Sequence, residues 1–179
     1  YAAGPRREIG IRTVFNLLGP LTNPAAAQVQ VIGIADGSVG QKIANVLRLL
    51  GTKHSLIVHG NDGVDELTLE GTTQVWEVQG DQVREYQVNA QDLGFPTTPM
   101  SFLKVDGPIE SANLLRKVLQ GDDGPARQVV LMNSAAAFMA AESAPTMKEG
   151  LALGEISIAS GKALEALDRL VEVSHSATR

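Results

Sequence analysis

Three carboxylates lie close together in the segment 61–66, which reads Asn-Asp-Gly-Val-Asp-Glu. Asp62, Asp65 and Glu66 would repel one another unless a cation lies nearby. Carboxylate oxygens suit Mg²⁺, which proteins hold through one or two carboxylates plus substrate phosphates. The alternative is a solvated acidic turn built on the Asp-Gly pair, and the spacing alone favours that alternative.

Arg12 is the second residue that could do chemistry, because it lies among the apolar residues Ile9, Ile11, Val14 and Phe15. In a partly apolar pocket, a guanidinium can hold a carboxylate or a phosphate through two parallel hydrogen bonds. Two alternatives remain open: the side chain extends to solvent, or it pairs with the carboxylate four residues earlier in the chain. Spacing does not decide among the three.

Other catalytic patterns are absent from the sequence or incomplete. Gly33, Gly37 and Gly40 do not have the spacing of the dinucleotide-binding fingerprint, and Gly161-Lys162 lacks the rest of a phosphate-binding P-loop. The chain has no cysteine, which excludes disulfides, thiolate metal sites and a cysteine nucleophile. The carboxylates and the arginine are therefore the main candidates.

Three further polar residues are predicted to have structural roles. His54 and His59 flank one predicted strand at an odd separation, so their side chains should point to opposite faces and cannot share a ligand. Asn133 lies in an alanine-rich predicted helix, where a buried polar contact is the favoured interpretation over contact with a ligand.

The acidic segment directly follows a predicted strand. Short apolar runs alternate with helical periodicity in the first half of the chain, which indicates βα units and a parallel sheet. We expect a strand over 31–35, a helix over 38–50 with Ser38 as its N-cap, and a second strand over 55–58. Ligands bind beyond the carboxyl ends of strands in open α/β sheets, so the acidic segment lies where a site is expected.

The remaining elements complete an α/β fold. Alternating residues over 74–78 and 83–88 predict an antiparallel hairpin at the sheet edge, joined across Gly80-Asp81. No long element is expected in the segment 91–107, which is rich in Pro and Thr. Helices are predicted over 110–119, 125–143, 146–160 and 162–173, the third with a capping box formed by Thr146 and Glu149.

Composition narrows the function classes. The 179 residues are 44% hydrophobic and carry a net charge of −5, which indicates a globular protein and disfavours nucleic-acid binding. No apolar run approaches the roughly 20 residues that span a bilayer, and no signal peptide is evident, so a soluble, cytoplasmic protein is expected. Because the chain begins at Tyr1 without Met and with no regular pattern, we expect it to be a piece of a longer polypeptide.

The residues 10–24, GIRTVFNLLGPLTNP, resemble the signature of the anthranilate phosphoribosyltransferase family. The family's D-G-x-D-E loop is matched at 62–66, and its L-N-x-A-A helix start is matched at 132–136 with Met132 in the first position. The resemblance covers essentially the whole chain but only the second half of the family's chain.

The resemblance implies that residues 1–179 form the C-terminal part of an α/β catalytic domain of the nucleoside phosphorylase and phosphoribosyltransferase type. That domain would contain a mainly parallel sheet with an antiparallel edge hairpin and C-terminal helices. The N-terminal helical domain would be absent. So would the first part of the α/β domain, which carries a G-T-G-G-D loop for pyrophosphate.

The implied activity is transfer of the phosphoribosyl group from phosphoribosyl pyrophosphate (PRPP) to the amine of anthranilate, with Mg²⁺ and release of pyrophosphate. By the same resemblance, Arg12 would hold the anthranilate carboxylate, and Asp65 and Glu66 would be the Mg²⁺ ligands. No residue is assigned as a nucleophile or base, because the aromatic amine is nucleophilic at neutral pH. The complete protein is expected to be a homodimer, and the 179-residue chain alone is expected to be inactive.

Two alternatives remain at this point. A pyrimidine nucleoside phosphorylase would share the α/β layout, but the signature at 10–24 belongs to the anthranilate enzyme. A non-catalytic relative that binds nucleic acid should show basic clusters and should have lost the arginine and acidic motifs. The acidic balance of charge and the intact motifs argue against it.

The resemblance predicts that Arg12→Ala, in a protein of the family's full length, raises the KM for anthranilate far more than the KM for PRPP. A charge-assisted, two-point contact contributes about 1.5–3 kcal/mol, which corresponds to about 10- to 150-fold in affinity. Arg12→Lys should restore only part of the loss. Steady-state kinetics check this, and equal changes in both KM values would show that Arg12 is structural.

Overall fold

The computed structural model describes residue 19 and residues 21–176. Its centre is a four-stranded sheet in the order β1-β2-β3-β4, with parallel and antiparallel pairs. β1 and β2 run parallel, and the other two pairs are antiparallel. The predicted α/β architecture with an antiparallel edge hairpin is therefore confirmed. The strands are β1 (Val29–Gly33), β2 (His54–Gly60), β3 (Thr72–Gln79) and β4 (Gln82–Asn89).

One helix, α1 (Gly40–Leu49), connects the two parallel strands and covers one face of the sheet. Its residues Ile43, Ala44 and Leu47 are buried in a cluster with Ile57 and Trp76 of the sheet. Their spacing of one and three residues places them on one side of the helix, and burial of that side holds α1 on the sheet.

The prediction of Ser38 as the N-cap of this helix is wrong. Ser38 is not the N-cap: the Asp36 carboxylate accepts a hydrogen bond from the Ser38 backbone N–H at 3.0 Å. This contact caps a short 3₁₀ turn, Gly37–Val39, and the α-helix begins only after it. The first strand also lies two residues earlier than predicted, ending at Gly33.

Four helices follow the sheet, as predicted: α2 (Pro108–Leu119), α3 (Pro125–Ala140), α4 (Met147–Ala159) and α5 (Lys162–Ser176). α3 covers the second face of the sheet, where Met132 and Ala136 pack with Leu56 and Val58 of β2. β2 is consequently buried on both faces, as its continuous apolar sequence predicts. Two short 3₁₀ turns are the only helical elements that the structure places in the loop after β4, which confirms that no long element forms there.

Two details of the helix ends depend on local hydrogen bonds. The side chain of Thr146 accepts a bond from the Glu149 N–H at 3.3 Å, which confirms the capping box. α3 ends at Ala140, three residues before the predicted end, because Glu142 adopts a left-handed conformation with φ 56°. The N–H groups of Ser143 and Ala144 then both bond to the Phe138 carbonyl and close the helix. No helix in the described ranges is both long and apolar enough to cross a membrane.

A buried ionisable pair lies at the end of the sheet opposite to the acidic segment. Glu77 of β3 is 5% exposed, and its carboxylate lies 2.7 Å from Nε2 of the equally buried His54. Arg84 of β4 donates to the other carboxylate oxygen at 3.2 Å. Burial, the Glu77 charge and a hydrogen bond to Glu77 raise the pKa of Tyr86. The pair borders an open cavity of about 970 Å³ between the hairpin and the α3–α4 connection.

We predict that Glu77→Ala lowers the free energy of unfolding by about 2–4 kcal/mol, because it leaves the buried His54 and the partly buried Tyr86 without their acceptor. Glu77→Gln, which retains an acceptor, should cost less. Glu85→Ala, at an exposed position on the neighbouring strand, is the control and should change stability by no more than about 0.5 kcal/mol. Urea unfolding of the three variants measures the difference. Equal losses for Glu77→Ala and Glu85→Ala would contradict the role given to the buried carboxylate.

Candidate functional site

The acidic segment lies at the carboxyl end of β2, as predicted. β2 ends at Gly60, and Asp62, Asp65 and Glu66 follow within six residues. Because β1 is parallel to β2, its carboxyl end at Gly33 reaches the same edge of the sheet. The acidic residues therefore lie beside the ends of two strands, where backbone from both can shape the site.

Backbone hydrogen bonds fold the acidic segment back on the strand that it follows. The Gly60 N–H donates to the Val64 carbonyl at 2.9 Å, and the Gly63 N–H donates to the Gly60 carbonyl at 2.8 Å. The Asn61 N–H bonds to the carbonyl of Thr72, the first residue of β3. The loop is thus a compact turn with its own hydrogen bonds.

Gly33 allows the backbone of Asp65 to lie directly against the end of β1. A Cβ atom at Gly33 would be 1.6 Å from the Asp65 carbonyl oxygen, so no other residue fits without moving the loop. The sequence placed Gly33 in the first predicted strand and in a rejected glycine motif, but it did not predict this role. The available signal was a glycine within a predicted strand, which often marks a close approach by another backbone.

The three carboxylates of the loop have different roles. Asp62 accepts a hydrogen bond from the Thr68 hydroxyl at 2.8 Å and so holds the two ends of the loop together. Asp65 and Glu66 are exposed, and no donor among the described residues bonds to their carboxylates. Partial desolvation raises the pKa of Glu66, and the neighbouring Asp65 charge raises it further. Asp65 and Glu66 therefore form a pair of mutually repelling carboxylates that a cation would stabilise.

This donor set fits a Mg²⁺ ion that is shared with a phosphate ligand. Within the described part of the chain, no group of three or more His, Asp or Glu residues could hold a metal ion by itself. Two adjacent carboxylates supply only part of a Mg²⁺ coordination shell, and Mg²⁺ commonly completes such a shell with waters and substrate phosphate oxygens. The pair can therefore bind a divalent cation weakly by itself, and phosphate oxygens of a substrate would complete the shell.

The two histidines do not contribute to this pair. Nδ1 of His59 lies 2.8 Å from the Ile34 carbonyl oxygen. His54 pairs with Glu77 at the other end of β2. The prediction that the two histidines have separate structural roles is confirmed.

Asn133 of α3 makes the polar contact predicted for it. Its side chain bonds to the backbone of Leu67, the residue directly after the acidic pair, and to the Val129 carbonyl within its own helix. The sequence predicted a polar contact but did not indicate that its partner would be the acidic loop, because the two positions are 66 residues apart.

Arg12 and most of the signature at 10–24 lie outside the described residues. Gly19 and residues 21–24 are the described remainder of that signature, and of these Gly19, Asn23 and Pro24 line a groove along β1. The groove has a volume of about 560 Å³ and is lined by Asn23, Pro24 and Ala27 together with β1. In the structure, the last residues of the signature thus lie along β1, and the backbone of Asp65 lies against the carboxyl end of β1.

Comparison with known proteins gives one family and several close relatives. Residues 1–164 match the model of a glycosyl transferase family, a/b domain. An anthranilate phosphoribosyltransferase from Chloroflexus aggregans is 49% identical over 175 residues, covering 96% of this chain and 52% of the relative.

Two solved structures extend the similarity to the fold. The crystal structure of anthranilate phosphoribosyltransferase from Thermus thermophilus is 42% identical, with a TM-score of 0.85 over 95% of this chain and 50% of that one. The Saccharomyces cerevisiae enzyme in complex with PRPP and Mg is 30% identical, with a TM-score of 0.87 over 98% of this chain and 51% of that one. The chain spans about half the length of the relatives that it matches.

We predict that Gly33→Ala displaces the acidic loop and lowers the free energy of unfolding by about 1–3 kcal/mol, because the added methyl group would occupy the position of the Asp65 carbonyl. Gly107→Ala is the control, since its φ of 162° is extended backbone and a Cβ there meets nothing within 4 Å. Amide chemical shifts should change over 60–67 in the first variant only. Unchanged loop resonances in Gly33→Ala would show that the contact does not fix the loop.

Proposed function

This chain belongs to the glycosyl transferase family, and on that premise we propose that it is the C-terminal part of the catalytic α/β domain of an anthranilate phosphoribosyltransferase. The reaction joins the amine nitrogen of anthranilate to C1 of the ribose and breaks the bond from C1 to the pyrophosphate oxygen. Pyrophosphate leaves with the bonding electron pair, and the amine loses a proton. The names of the relatives and the PRPP and Mg complex of the yeast enzyme support this assignment.

The carboxylate pair at the end of the parallel strands is the structural observation on which the proposal rests. The leaving pyrophosphate is strongly negative, so Asp65 and Glu66 can assist its departure only through a cation. Mg²⁺, when bound, would neutralise charge on the departing oxygen. The chain contributes two consecutive acidic residues, both exposed at the sheet edge, with no competing donor among the described residues.

No covalent intermediate with the protein is needed. The amine of anthranilate carries a free electron pair at neutral pH, so catalysis can depend on positioning the two substrates and on stabilising the leaving group. Arg12, by the family resemblance, would hold the anthranilate carboxylate and so orient the amine. The proposal assigns binding roles to Arg12, Asp65 and Glu66 and no nucleophile.

The complete site requires more chain than these 179 residues. Among the described residues β1 has a neighbouring strand on one side only, and the groove beside it is open. The G-T-G-G-D loop that the family uses for pyrophosphate does not occur in the sequence. We propose that the first half of the family's chain supplies this loop and covers the β1 edge. The longer protein would then act as a cytoplasmic homodimer.

The function is tested by following the loss of anthranilate in the presence of PRPP and Mg²⁺, using a protein that contains this chain within the full length of the family. Product formation that requires all three components supports the assignment. A full-length protein that binds neither PRPP nor anthranilate would rule it out.

We predict that the double variant Asp65→Asn with Glu66→Gln keeps its fold but requires a higher Mg²⁺ concentration for turnover. An exposed loop contributes little packing, so stability should change little. A matched control is the double variant Asp81→Asn with Glu85→Gln, which removes two charges from exposed positions of the β3–β4 hairpin. An unchanged Mg²⁺ titration in the loop variant would show that the segment is a solvated turn and not a metal site.

The pKa of Glu66 adds a pH dependence to the same experiment. Because this pKa is raised, Glu66 retains its proton at a pH where an ordinary carboxyl has lost it, and the proton competes with the metal. Mg²⁺ affinity should therefore still rise with pH above the range in which an ordinary glutamate has already ionised. Asp65→Asn removes the charge that helps to raise this pKa, so the rise should move to lower pH.

We predict that the 179-residue chain alone folds but does not turn over. Without the glycine-rich loop nothing fixes the diphosphate. Positioning of the reactants can lower the activation free energy by about 7–11 kcal/mol, and this contribution would be lost. Calorimetry with PRPP and Mg²⁺, together with an anthranilate assay, measures this directly. Micromolar PRPP binding with product formation would show that the other half is dispensable.

A further inference from the structure

Asn133 contacts the acidic loop from a helix that lies far away in sequence. Its Oδ1 accepts a hydrogen bond from the Leu67 N–H at 3.1 Å, and its Nδ2 lies 3.4 Å from the Leu67 carbonyl oxygen. The side-chain amide thus pairs with both polar groups of one backbone residue, much as a neighbouring strand would. Nδ2 also donates to the Val129 carbonyl at 3.0 Å, which fixes the amide relative to α3.

This contact lies next to the acidic pair. The Leu67 nitrogen belongs to the peptide bond whose carbonyl comes from Glu66, so its position limits where the Glu66 backbone can lie. The Leu67 side chain is 1% exposed and packs in the same cluster as Val129 and Met132 of α3. Both the backbone and the side chain of Leu67 are therefore held by α3.

The other side of the acidic pair is held separately. The Asp65 backbone lies against Gly33 at the end of β1, and the Thr68 hydroxyl bonds to Asp62. Asp65 and Glu66 are consequently fixed from β1 on one side and from α3 on the other. Of these contacts, only the one from Asn133 is made by a side chain outside the loop and outside the sheet.

We infer that Asn133 is a positioning residue that holds Asp65 and Glu66 in the arrangement that binds the divalent cation. This inference rests on the proposed function, because it assumes that the pair binds a metal. An amide is required since it offers an acceptor to the Leu67 N–H and donors to two carbonyls at once. Alanine offers neither, and aspartate offers only the acceptor.

The inference is tested on the ¹⁵N-labelled chain with Mn²⁺ as a paramagnetic probe and with no substrate. In the unsubstituted chain, Mn²⁺ should first broaden the amide signals of residues 60–67. Asn133→Ala should raise the Mn²⁺ concentration needed for this broadening by about 5- to 20-fold, because the loss of two hydrogen bonds allows the loop to leave the binding geometry. The Leu67 amide should also exchange with solvent at least about 10-fold faster.

Ile158→Val is the control for general destabilisation. Ile158 is a buried residue of α4 with 6% exposure, and removal of one methylene lowers stability without touching the loop. It should lower the unfolding temperature while leaving both the Mn²⁺ titration and Leu67 exchange unchanged. Asn133→Asp, which retains the acceptor for Leu67, should show an intermediate effect. It replaces Asn133→Ala in the comparison if the alanine variant does not fold.

The outcomes separate the inference from the proposed function. Broadening near the loop that is equally sensitive to Mn²⁺ in the Asn133 variants and in Ile158→Val would overturn the positioning role and leave the metal site standing. Absence of broadening near the loop in the unsubstituted chain would overturn the metal site and the positioning role together. A shift of the titration in the Asn133 variants alone supports both.

Discussion

Parallel pairing of β1 with β2 brings the carboxyl ends of two strands to the same edge of the sheet. The chain leaves β2 there and turns back across Gly33, where only a hydrogen side chain leaves room for the Asp65 backbone. That contact decides the path of the loop, and the path places Asp65 and Glu66 next to each other with their carboxylates exposed. A cation bound between them would relieve the repulsion of the two negative charges.

The rest of the fold supports this edge from both faces. α1 buries Ile43 and Leu47 on one face of the sheet, and α3 packs on the other with Met132 and Ala136. α3 also reaches the loop through Asn133, so the helix that covers the sheet contacts the backbone beside the acidic pair. α4 in turn packs closely on α3, where a Cβ at Gly150 would be 2.8 Å from the Ala135 backbone. Packing of the C-terminal helices is thereby linked to the position of the carboxylates.

The carboxylates near the two ends of β2 differ in how their charge is stabilised. At His54, the carboxylate of Glu77 is buried and has partners in His54 and Arg84, which removes the penalty of an unpaired buried charge. At the acidic loop, Asp65 and Glu66 remain in contact with solvent and have no such partners among the described residues. The first arrangement stabilises the sheet, and the second is suited to binding.

Local sequence was sufficient for the elements and for the location of the acidic segment. Periodicity identified the helices, alternation identified the hairpin, and a capping box located the start of α4 at Thr146. The prediction of Ser38 as an N-cap was wrong. Asp36, two residues earlier, supplies the capping oxygen to a 3₁₀ turn, which periodicity does not reveal. The predicted end of α3 was also too late, because composition does not indicate that Glu142 adopts a left-handed conformation after Ala140.

The sequence by itself determined that a pair of adjacent carboxylates follows a buried strand, because both the apolar run and the acidic motif are local patterns. Only the tertiary structure decided which carboxylates are available: Asp62 is bonded to Thr68, whereas Asp65 and Glu66 are not bonded to any described donor. It also decided what holds them, through Gly33 from β1 and Asn133 from α3. These contacts join residues about 30 and 66 positions apart, and such distances are set by how the strands and helices pack, which no local spacing encodes.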